Sequence, residues 1–401
     1  MKICFLVGSI GISGGSYVII QHAYYLKKMG HDVVLAIQEP FTNKSLEWHD
    51  LAVNLNCITF AEGKNIEFDL VIATWWRTAI EIFLFKSKRY AYFVQSIESR
   101  FYDEKNIYIR AIVENTYDLP LHYITEATWI KDYLFKNHGK VAQLVKNGVR
   151  KDIFIESGES LSPRIAGKIR VLVEGPFGVS FKNTALAIAM ARSAGADEIW
   201  VMTSTPVNKL PYVDKVFSQV NTNSAALIYR SCDVLVKLST VEGMFGPPLE
   251  MFHCGGTAIV YGVTGHEEYI VKDHNAIVLD VKNLSDTVAE LASVFSDANL
   301  INELKRNALN TAKQWPDWTT SSHSFCEWVE SLPEVSDLNF DITVSRNKVD
   351  NVYCHRSLNV VFVSFFIDAL KRVVKMLPKT ILNMIKAFSA KFEVHQTMRR
   401  L

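Results

Sequence analysis

The chain of 401 residues lacks most of the features that would announce a function outright. Its six cysteines (Cys4, Cys57, Cys232, Cys254, Cys326 and Cys354) are scattered, with no C-x-x-C pair. That leaves zinc or a redox dithiol unsupported and points to the reduced thiols of a cytosolic protein. The adjacent pair His253-Cys254 is spaced too closely for a tetrahedral site, which recruits ligands at wider intervals. No run of eighteen apolar residues occurs, so no spanning helix is expected. The first apolar run, Ile3 to Val7, is too short for a signal peptide. Charge of neither sign is in excess: 43 Lys and Arg against 42 Asp and Glu leave a net charge of +1, and nothing in that average points to nucleic acid. There is no D-x-D, and no repeat with a period of 20–50 residues.

What the chain has is alternation. With 49% apolar and 21% charged residues it is globular, and its length exceeds one ordinary core, implying two or three units. Short apolar runs alternate with longer amphipathic ones, the pattern of parallel-sheet α/β units. Residues 2–8, 32–38, 57–61, 69–74, 90–95, 121–125 and 141–146 read as strands of a first unit. A helix fits 16–29, where Val18, Ile19, His22, Ala23 and Leu26 share a face and Gly30 suits the end. A Ser-, Gly- and Glu-rich stretch, 156–166, reads as a linker between a first domain, 1–155, and a second, 167–314. The second is expected to hold strands over 168–174, 198–203, 233–238, 257–261 and 276–279, and helices over 183–194, 248–254, 284–296 and 298–314. Trp315-Pro316-Asp317 stops the last helix, since proline cannot continue it. Asp317 or Thr319 can then cap a helix over about 319–331, which in a 315–332 segment would pack back on the first domain. The expected fold is α/β: two facing, Rossmann-like, doubly wound domains with a cleft between the carboxyl ends of their strands.

One segment concentrates chemistry. Residues 232–239 read as a buried strand with Glu242 just past its carboxyl end. Gly243 to Gly246 turn the chain, and Pro247-Pro248 suit the first turn of a helix, where the missing N–H is not needed. Glu250 then falls in the first turns of that helix, facing the cleft. Free N–H groups near Phe245 and Gly246 would suit a phosphate. Glu250 can accept hydrogen bonds from two vicinal ribose hydroxyls, and Glu242 from hydroxyls of a sugar. A nucleoside diphosphate sugar needs such acceptors and donors together. Glu-x7-Glu alone is equally the spacing of two surface acids; the sequence that follows, Met251 to Val260 and Gly262 to Ile270, separates the two readings.

With that continuation the segment resembles glycosyltransferase family 4, the retaining transferases of the GT-B fold. Their pattern is Glu-Gly-x-Gly-x-Pro-x-x-Glu, then an Ala/Cys-Gly turn and a strand, then Gly-Gly-x-x-Glu. The resemblance covers roughly residues 1–330 and is most specific over 240–280. It implies that Glu242 contacts the donor sugar, Glu250 the ribose, and Thr264-Gly265 the diphosphate or sugar through backbone. Glu268 fits the later glutamate, and Thr264 stands where the family has a glycine. Residues 170–183 are similar to the family's strand, Gly-Arg turn and later lysine. Lys182 matches the lysine that neutralises the diphosphate, whereas Pro176 replaces the arginine after Gly175, leaving Lys182 alone or with an arginine from elsewhere. A lysine at a helix start is also unfavourable for the dipole, which a bound phosphate would relieve. Gly14 and Gly15 match the glycine pair through which the family's first loop lets backbone approach the donor phosphate and the acceptor. The spacing from Gly8, G-x-x-G-x-x-G-G, lacks the central glycine of a dinucleotide fingerprint even with Glu39 after the second strand, and a loop needing φ > 0 is the plainer account.

Tyr92 to Tyr102 is similar to the Phe-Val-Gln-Asp-Tyr-Glu stretch of bacterial rhamnosyltransferase-like members and places Gln95 and Glu98 on the acceptor side. Gln95 can hydrogen-bond sugar hydroxyls but is no general base; Glu98 can instead pair with Arg100. Tyr229 can stack on the base or be a packed core tyrosine, and Asn147-Gly148 is first of all a turn.

The resemblance therefore implies a retaining transfer of a hexosyl or deoxyhexosyl, rhamnosyl-like residue from a nucleoside diphosphate sugar to a growing bacterial cell-surface glycan such as O-antigen or capsule. Glu242 and Lys182 are its catalytic candidates, and no metal and no cofactor beyond that co-substrate is expected. The leaving diphosphate would be stabilised by Lys182, helix N-termini and glycine-loop amides. A non-catalytic sugar-nucleotide-binding scaffold and a GT-B sugar-nucleotide epimerase are the rival readings of the same motifs. The segment 333–401 differs in character, with an irregular part, an apolar run Val360 to Ile367, and eight Lys or Arg against one Glu after Asp368. Such a basic amphipathic, α-helical tail can lie on an anionic membrane surface or pack on the body or a partner. The expectation is a cytoplasmic protein, peripheral at the inner face of the plasma membrane, with a glycan or lipid-linked glycan acceptor and no nucleic-acid partner.

Overall fold

The computed structural model describes residues 1–280, 283–333 and 378–399. In chain order the first unit holds β1 (Lys2–Val7), α1 (Gly14–Lys28), β2 (Asp32–Ile37), β3 (Asn56–Thr59), α2 (Phe60–Gly63), β4 (Glu67–Phe68), β5 (Leu70–Ala73), α3 (Trp76–Glu81), β6 (Lys86–Ser87), β7 (Tyr90–Val94), α4 (Ile107–Thr116), β8 (His122–Thr125), α5 (Thr128–His138) and β9 (Ala142–Leu144). The second holds β10 (Arg170–Glu174), α6 (Thr184–Ser193), β11 (Glu198–Thr203), β12 (Lys215–Ser218), α7 (Thr222–Ser231), β13 (Val234–Lys237), α8 (Gly246–His253), β14 (Thr257–Tyr261), β15 (Ala276–Leu279), α9 (Leu284–Ser296) and α10 (Ala298–Gln314). Helices α11 (Trp318–Ser331) and α12 (Lys379–Met398) follow.

The strands pair in parallel in the orders β3-β2-β1-β5-β7-β8-β9 and β12-β11-β10-β13-β14-β15, with β4 and β6 as a separate pair. Strand order reverses between β1 and β5 in one sheet and between β10 and β13 in the other, the place where an open α/β sheet leaves a crevice. The strands are almost uniformly apolar because both faces are covered. In β1, Ile3, Phe5 and Val7 enter the core under α1, while Cys4 and Leu6 enter the core on the opposite face.

Helix α11 crosses back to the first unit. Trp318, Phe325 and Val329 share the core of α1, and the buried His22 stacks on Phe325 and meets Ser322 Oγ at 3.1 Å. Asp317 caps α11, its carboxylate accepting from the Thr320 N–H at 2.8 Å. Helix α12 packs on α6 and adds Ala390 and Val394 to the second core. Among the described residues, no helix is long and apolar enough to cross a membrane.

The structure departs from the sequence reading in four places. Helix α1 begins at Gly14, so Gly14 and Gly15 are its first turn, capped by the Ser13 side chain. Helices α2, α3, α4, α5 and α7 and the short strands β4 and β6 were not expected, and α2 takes over the end of the strand read over 57–61; α7 carries an Asn221 cap onto the Ser224 N–H. Strand β12 is a partly exposed edge strand without an apolar run. The stretch 156–166 is stitched to the second unit: Leu161 and Ser162 N–H donate to Ser231 Oγ, and Arg164 donates to the carbonyls of Cys232, Cys254 and Gly255. The connections between the units lie instead at 147–150 and 315–318, tied by the Val149 N–H to Pro316 O at 3.1 Å and Trp315 Nε1 to Asn147 O at 2.7 Å. The apolar run Val360–Ile367 and the basic stretch as far as 377 lie outside the described residues.

Candidate active site

A cavity of about 650 Å³ opens between the carboxyl edges of the two sheets. One wall is the N-terminus of α1 with Gly14 and Gly15, together with Trp75, Gln95, Glu98 and Glu126; the other carries Glu174, Lys182, Lys237, Glu242 and Glu250. In the first turn of α1 the Ser16 N–H is taken by Ser13 Oγ and the Tyr17 N–H by Ser13 O, so the Gly14 and Gly15 N–H groups, with the positive end of the helix, are what α1 presents to this space.

Glu242 is the electrostatic centre. It is 8% exposed, and its Oε2 lies 2.7 Å from Lys182 Nζ. Its Oε1 is buried without a hydrogen-bond partner, 3.8 Å from Lys237 Nζ. Burial acts to raise the Glu242 carboxyl, but the charges of Lys182 and Lys237 outweigh it and hold the group below its ordinary value. Lys237, the last residue of β13, is 2% exposed and bonds Glu174 Oε2 at 2.6 Å. Burial there acts to lower the ammonium, and Glu174 and Glu242 more than offset it.

The neighbouring carboxyls behave oppositely. Burial pushes Glu250 up to about 7 against the hydrogen bond it makes with the Tyr229 hydroxyl. Burial likewise pushes Glu126 up to about 7, against hydrogen bonds from Asn147 Nδ2 at 2.8 Å and the Met244 N–H at 3.0 Å. Glu98 goes up to about 8 by burial, although the Trp76 N–H at 2.7 Å and the Tyr92 hydroxyl bond its Oε2. The Arg100 partner considered for Glu98 lies elsewhere, over the Trp129 and Tyr133 rings.

Several bonds hold the two walls together. Trp129 Nε1 donates to the Gly243 carbonyl at 2.9 Å, and Arg100 reaches Thr264 Oγ1 at 3.4 Å. Glu268 accepts from the Thr128 N–H and lies 3.0 Å from Lys146 Nζ. Gly243 packs against the Gln95 carbonyl and Gly265 against the Gly243 carbonyl; neither has room for a Cβ, and Gly265 also has φ of 91°.

Of the residues singled out in the sequence, Glu242, Lys182, Glu250, Tyr229, Gly14, Gly15, Gln95, Glu98 and Gly246 line one cavity. Phe245, Thr264, Gly265 and Glu268 do not. Phe245 is fully buried, with its carbonyl accepting from the Tyr269 hydroxyl. The Gly246 N–H expected to be free for phosphate is bonded to Met244 O at 3.0 Å, because the chain makes a tight turn before α8. Thr264 and Glu268 are engaged by the first unit instead. Tyr229 is 1% exposed and packs edge-on against Phe154, so it offers its hydroxyl to Glu250 and not a ring face to a base.

Sequence reasoning passed over Lys237, Glu174, Glu126 and the lining residues Thr203, Ser204 and Gln219 to Thr222. A lysine inside the apolar run Val-Leu-Val-Lys-Leu was the available signal. Among the described residues, His31, Cys326 and Glu330 are close enough to share a cation, and none of them lines the cavity.

Residues 210–311 match the family model described as glycosyl transferases group 1, a stretch that includes Glu242 and Glu250. No curated protein matches the chain. Among solved structures, HepE from Anabaena in complex with UDP-glucose superposes with a TM-score of 0.64 at 13% identity, covering 83% of this chain and 100% of that one. A sucrose-phosphate synthase from Thermosynechococcus elongatus gives 0.62 at 13% identity over 82% and 98% of the two chains. WaaG, a glycosyltransferase involved in lipopolysaccharide biosynthesis, gives 0.60 at 13% identity over 82% and 100%. The fold is α/β GT-B.

Proposed function

We propose that this chain is a retaining glycosyltransferase that moves a hexosyl or deoxyhexosyl residue from a nucleoside diphosphate sugar to a glycan acceptor. The observation that carries the reading is the Lys182–Glu242 pair, 2.7 Å apart in a cavity between two doubly wound sheets. In this reading the diphosphate lies between the α1 N-terminus and Lys182, Glu250 receives ribose hydroxyls, and Glu242 receives hydroxyls of the donor sugar. The group 1 match over 210–311 supports it, as do superposable structures whose own complexes contain UDP and UDP-glucose.

The reaction is front-side. The acceptor oxygen bonds to the anomeric carbon, the bond from that carbon to the diphosphate oxygen breaks, and the acceptor's proton passes to the departing diphosphate. Lys182 and the helix-end amides stabilise the charge that develops there, the contribution preorganised donors make best. Glu242 orients the sugar, and Gln95 on the facing wall binds the acceptor. A rhamnosyl donor, a bacterial cell-surface acceptor and peripheral attachment at the inner membrane face complete the proposal.

The test incubates purified protein with a panel of sugar nucleotides, with and without lipid-linked glycan acceptor and with and without EDTA. Transfer that requires acceptor and survives EDTA is expected. Epimer formed without acceptor, or binding without turnover across the panel, would replace this reading by an epimerase or a scaffold.

A further inference from the structure

We infer that Lys237, held by Glu174, is a positioning residue that keeps Glu242 an ionised and oriented hydroxyl acceptor when a donor diphosphate draws Lys182 away from it. The inference rests on the donor-site reading above and assigns a task to a buried lysine and its half-buried partner, which that reading leaves idle.

A buried ammonium is costly and is retained in a fold only when it is well paired. Lys237 meets that condition twice. Its Nζ bonds Glu174 Oε2 at 2.6 Å and lies 3.3 Å from the Glu174 carbonyl. Glu174 ends β10 and Lys237 ends β13, neighbouring strands whose register sets Val173 beside Val236. The pair therefore sits on two adjacent, hydrogen-bonded strand ends at the reversal of strand order.

The two lysines differ in freedom. The Lys182 side chain is 21% exposed, ends a short 3-10 turn (Ser180–Lys182) and faces the cavity; the Lys237 side chain is 2% exposed. Only Lys182 can swing to a diphosphate. Once it does, Glu242 Oε2 loses its 2.7 Å partner and becomes available to a sugar hydroxyl. A buried carboxylate left alone at that point would take up a proton and become a donor. Glu126 and Glu98, which have no lysine or arginine beside them, are driven up by burial in this cavity. Facing Glu242 are Lys182 from the 3-10 turn, Lys237 from β13, Glu126 from the β8–α5 loop, and Tyr269 from beyond β14. Glu250 and Glu174 stand around Lys237. With Lys182 withdrawn, Lys237 at 3.8 Å is the remaining cation of this set.

Lys182→Ala mimics that withdrawal without any donor. The Glu242 carboxyl resonance, assigned by its loss in Glu242→Gln, is titrated by carbon NMR in two proteins: Lys182→Ala, and Lys182→Ala with Lys237→Met and Glu174→Gln. The latter pair of changes removes the two charges of the Lys237–Glu174 ion pair together, so neither is left without the other, and Glu242 can answer the loss of both lysines by taking up a proton. The expected result is an upward shift of at least ~1 pH unit in the triple variant. A shift below ~0.5 unit, with both proteins folded, overturns the inference. This arm needs no activity, so it still decides if the wild type transfers no sugar, an outcome that would sink only the proposed function. Where the wild type is active, Lys237→Met/Glu174→Gln should raise the acid limb of the kcat profile at saturating donor, which reports the donor-bound enzyme, by the same shift. An unmoved acid limb counts against the inference as well.

Discussion

Gly243→Ala tests whether the closed arrangement of the two walls matters. Gly243 has no positive φ, so the substitution carries no intrinsic backbone strain; its effect comes from what the methyl meets. A Cβ there would overlap the Gln95 carbonyl oxygen and stand 3.0 Å from Glu126 Oε1. The Gln95 oxygen is backbone and cannot rotate aside, so the walls must part. Parting them breaks the Trp129 Nε1 to Gly243 O bond and the Met244 N–H to Glu126 bond. A neutral hydrogen bond contributes roughly 1 kcal/mol and one to a carboxylate roughly 2, so the closed form loses about 3 kcal/mol. If catalysis requires closure, kcat/KM falls by about 100-fold, since each 1.4 kcal/mol is tenfold. Neither domain core is touched, so the thermal midpoint should move by no more than about 2 °C. Small-angle scattering should show a larger radius of gyration. Activity within about twofold of wild type, with the walls shown to be apart, would refute the claim that this closure assembles the site.

Three further outcomes are expected. Lys182→Met should lower kcat/KM by at least ~100-fold, because it removes the cation proposed to stabilise the leaving diphosphate, while a melting curve stays close to wild type. Tyr229→Phe removes a hydrogen bond to Glu250 and should raise donor KM by about tenfold with kcat little changed, measured by initial rates over a donor series. Glu98 has a folded pKa of about 8, raised by burial from an ordinary 4.5, so its stabilising contribution is complete below pH 4.5 and is lost as pH rises through 8. His22, His49 and His253 are held by burial at about 3, 4 and 4, so their own dependence falls below pH 6.5. Between pH 6.5 and 8.5 the wild type should therefore lose about 2 kcal/mol that Glu98→Gln does not lose, read by denaturant melts at both pH values.

The sheets were legible in the sequence because strands covered on both faces are written as unbroken apolar runs, as Ile3 to Val7 and Leu70 to Ala73 show. The edge strand β12 has one face open and carries no such run. Glu242 and Lys182 could be placed in one site because each lies next to a local signal, a strand end or a turn. Lys237 was visible as a charge inside a strand, but its partner Glu174 lies 63 positions earlier and becomes a neighbour only through sheet order. Glu126 carries no local pattern at all, and Glu268, read from the later Gly-x-x-Glu turn, meets Thr128 and Lys146 only once the two domains face each other. The turn over Gly243 to Gly246 was legible, but its composition does not say that the Met244 carbonyl takes the Gly246 N–H.

The return of α11 to the first unit has a consequence for biosynthesis. Strand β1 and helix α1 are made some 300 residues before α11, yet part of their shared core consists of Trp318, Phe325 and Val329. The bond between His22 and Ser322 closes a loop of 300 residues. During translation the first domain must wait, with that apolar face uncovered, until the second has emerged and α11 folds back over it. A ribosome stalled before Trp318 would hold a nascent chain with an open hydrophobic face, a substrate for holding chaperones. Release of that chain from chaperone should coincide with exit of α11 from the ribosomal tunnel, not with completion of either sheet.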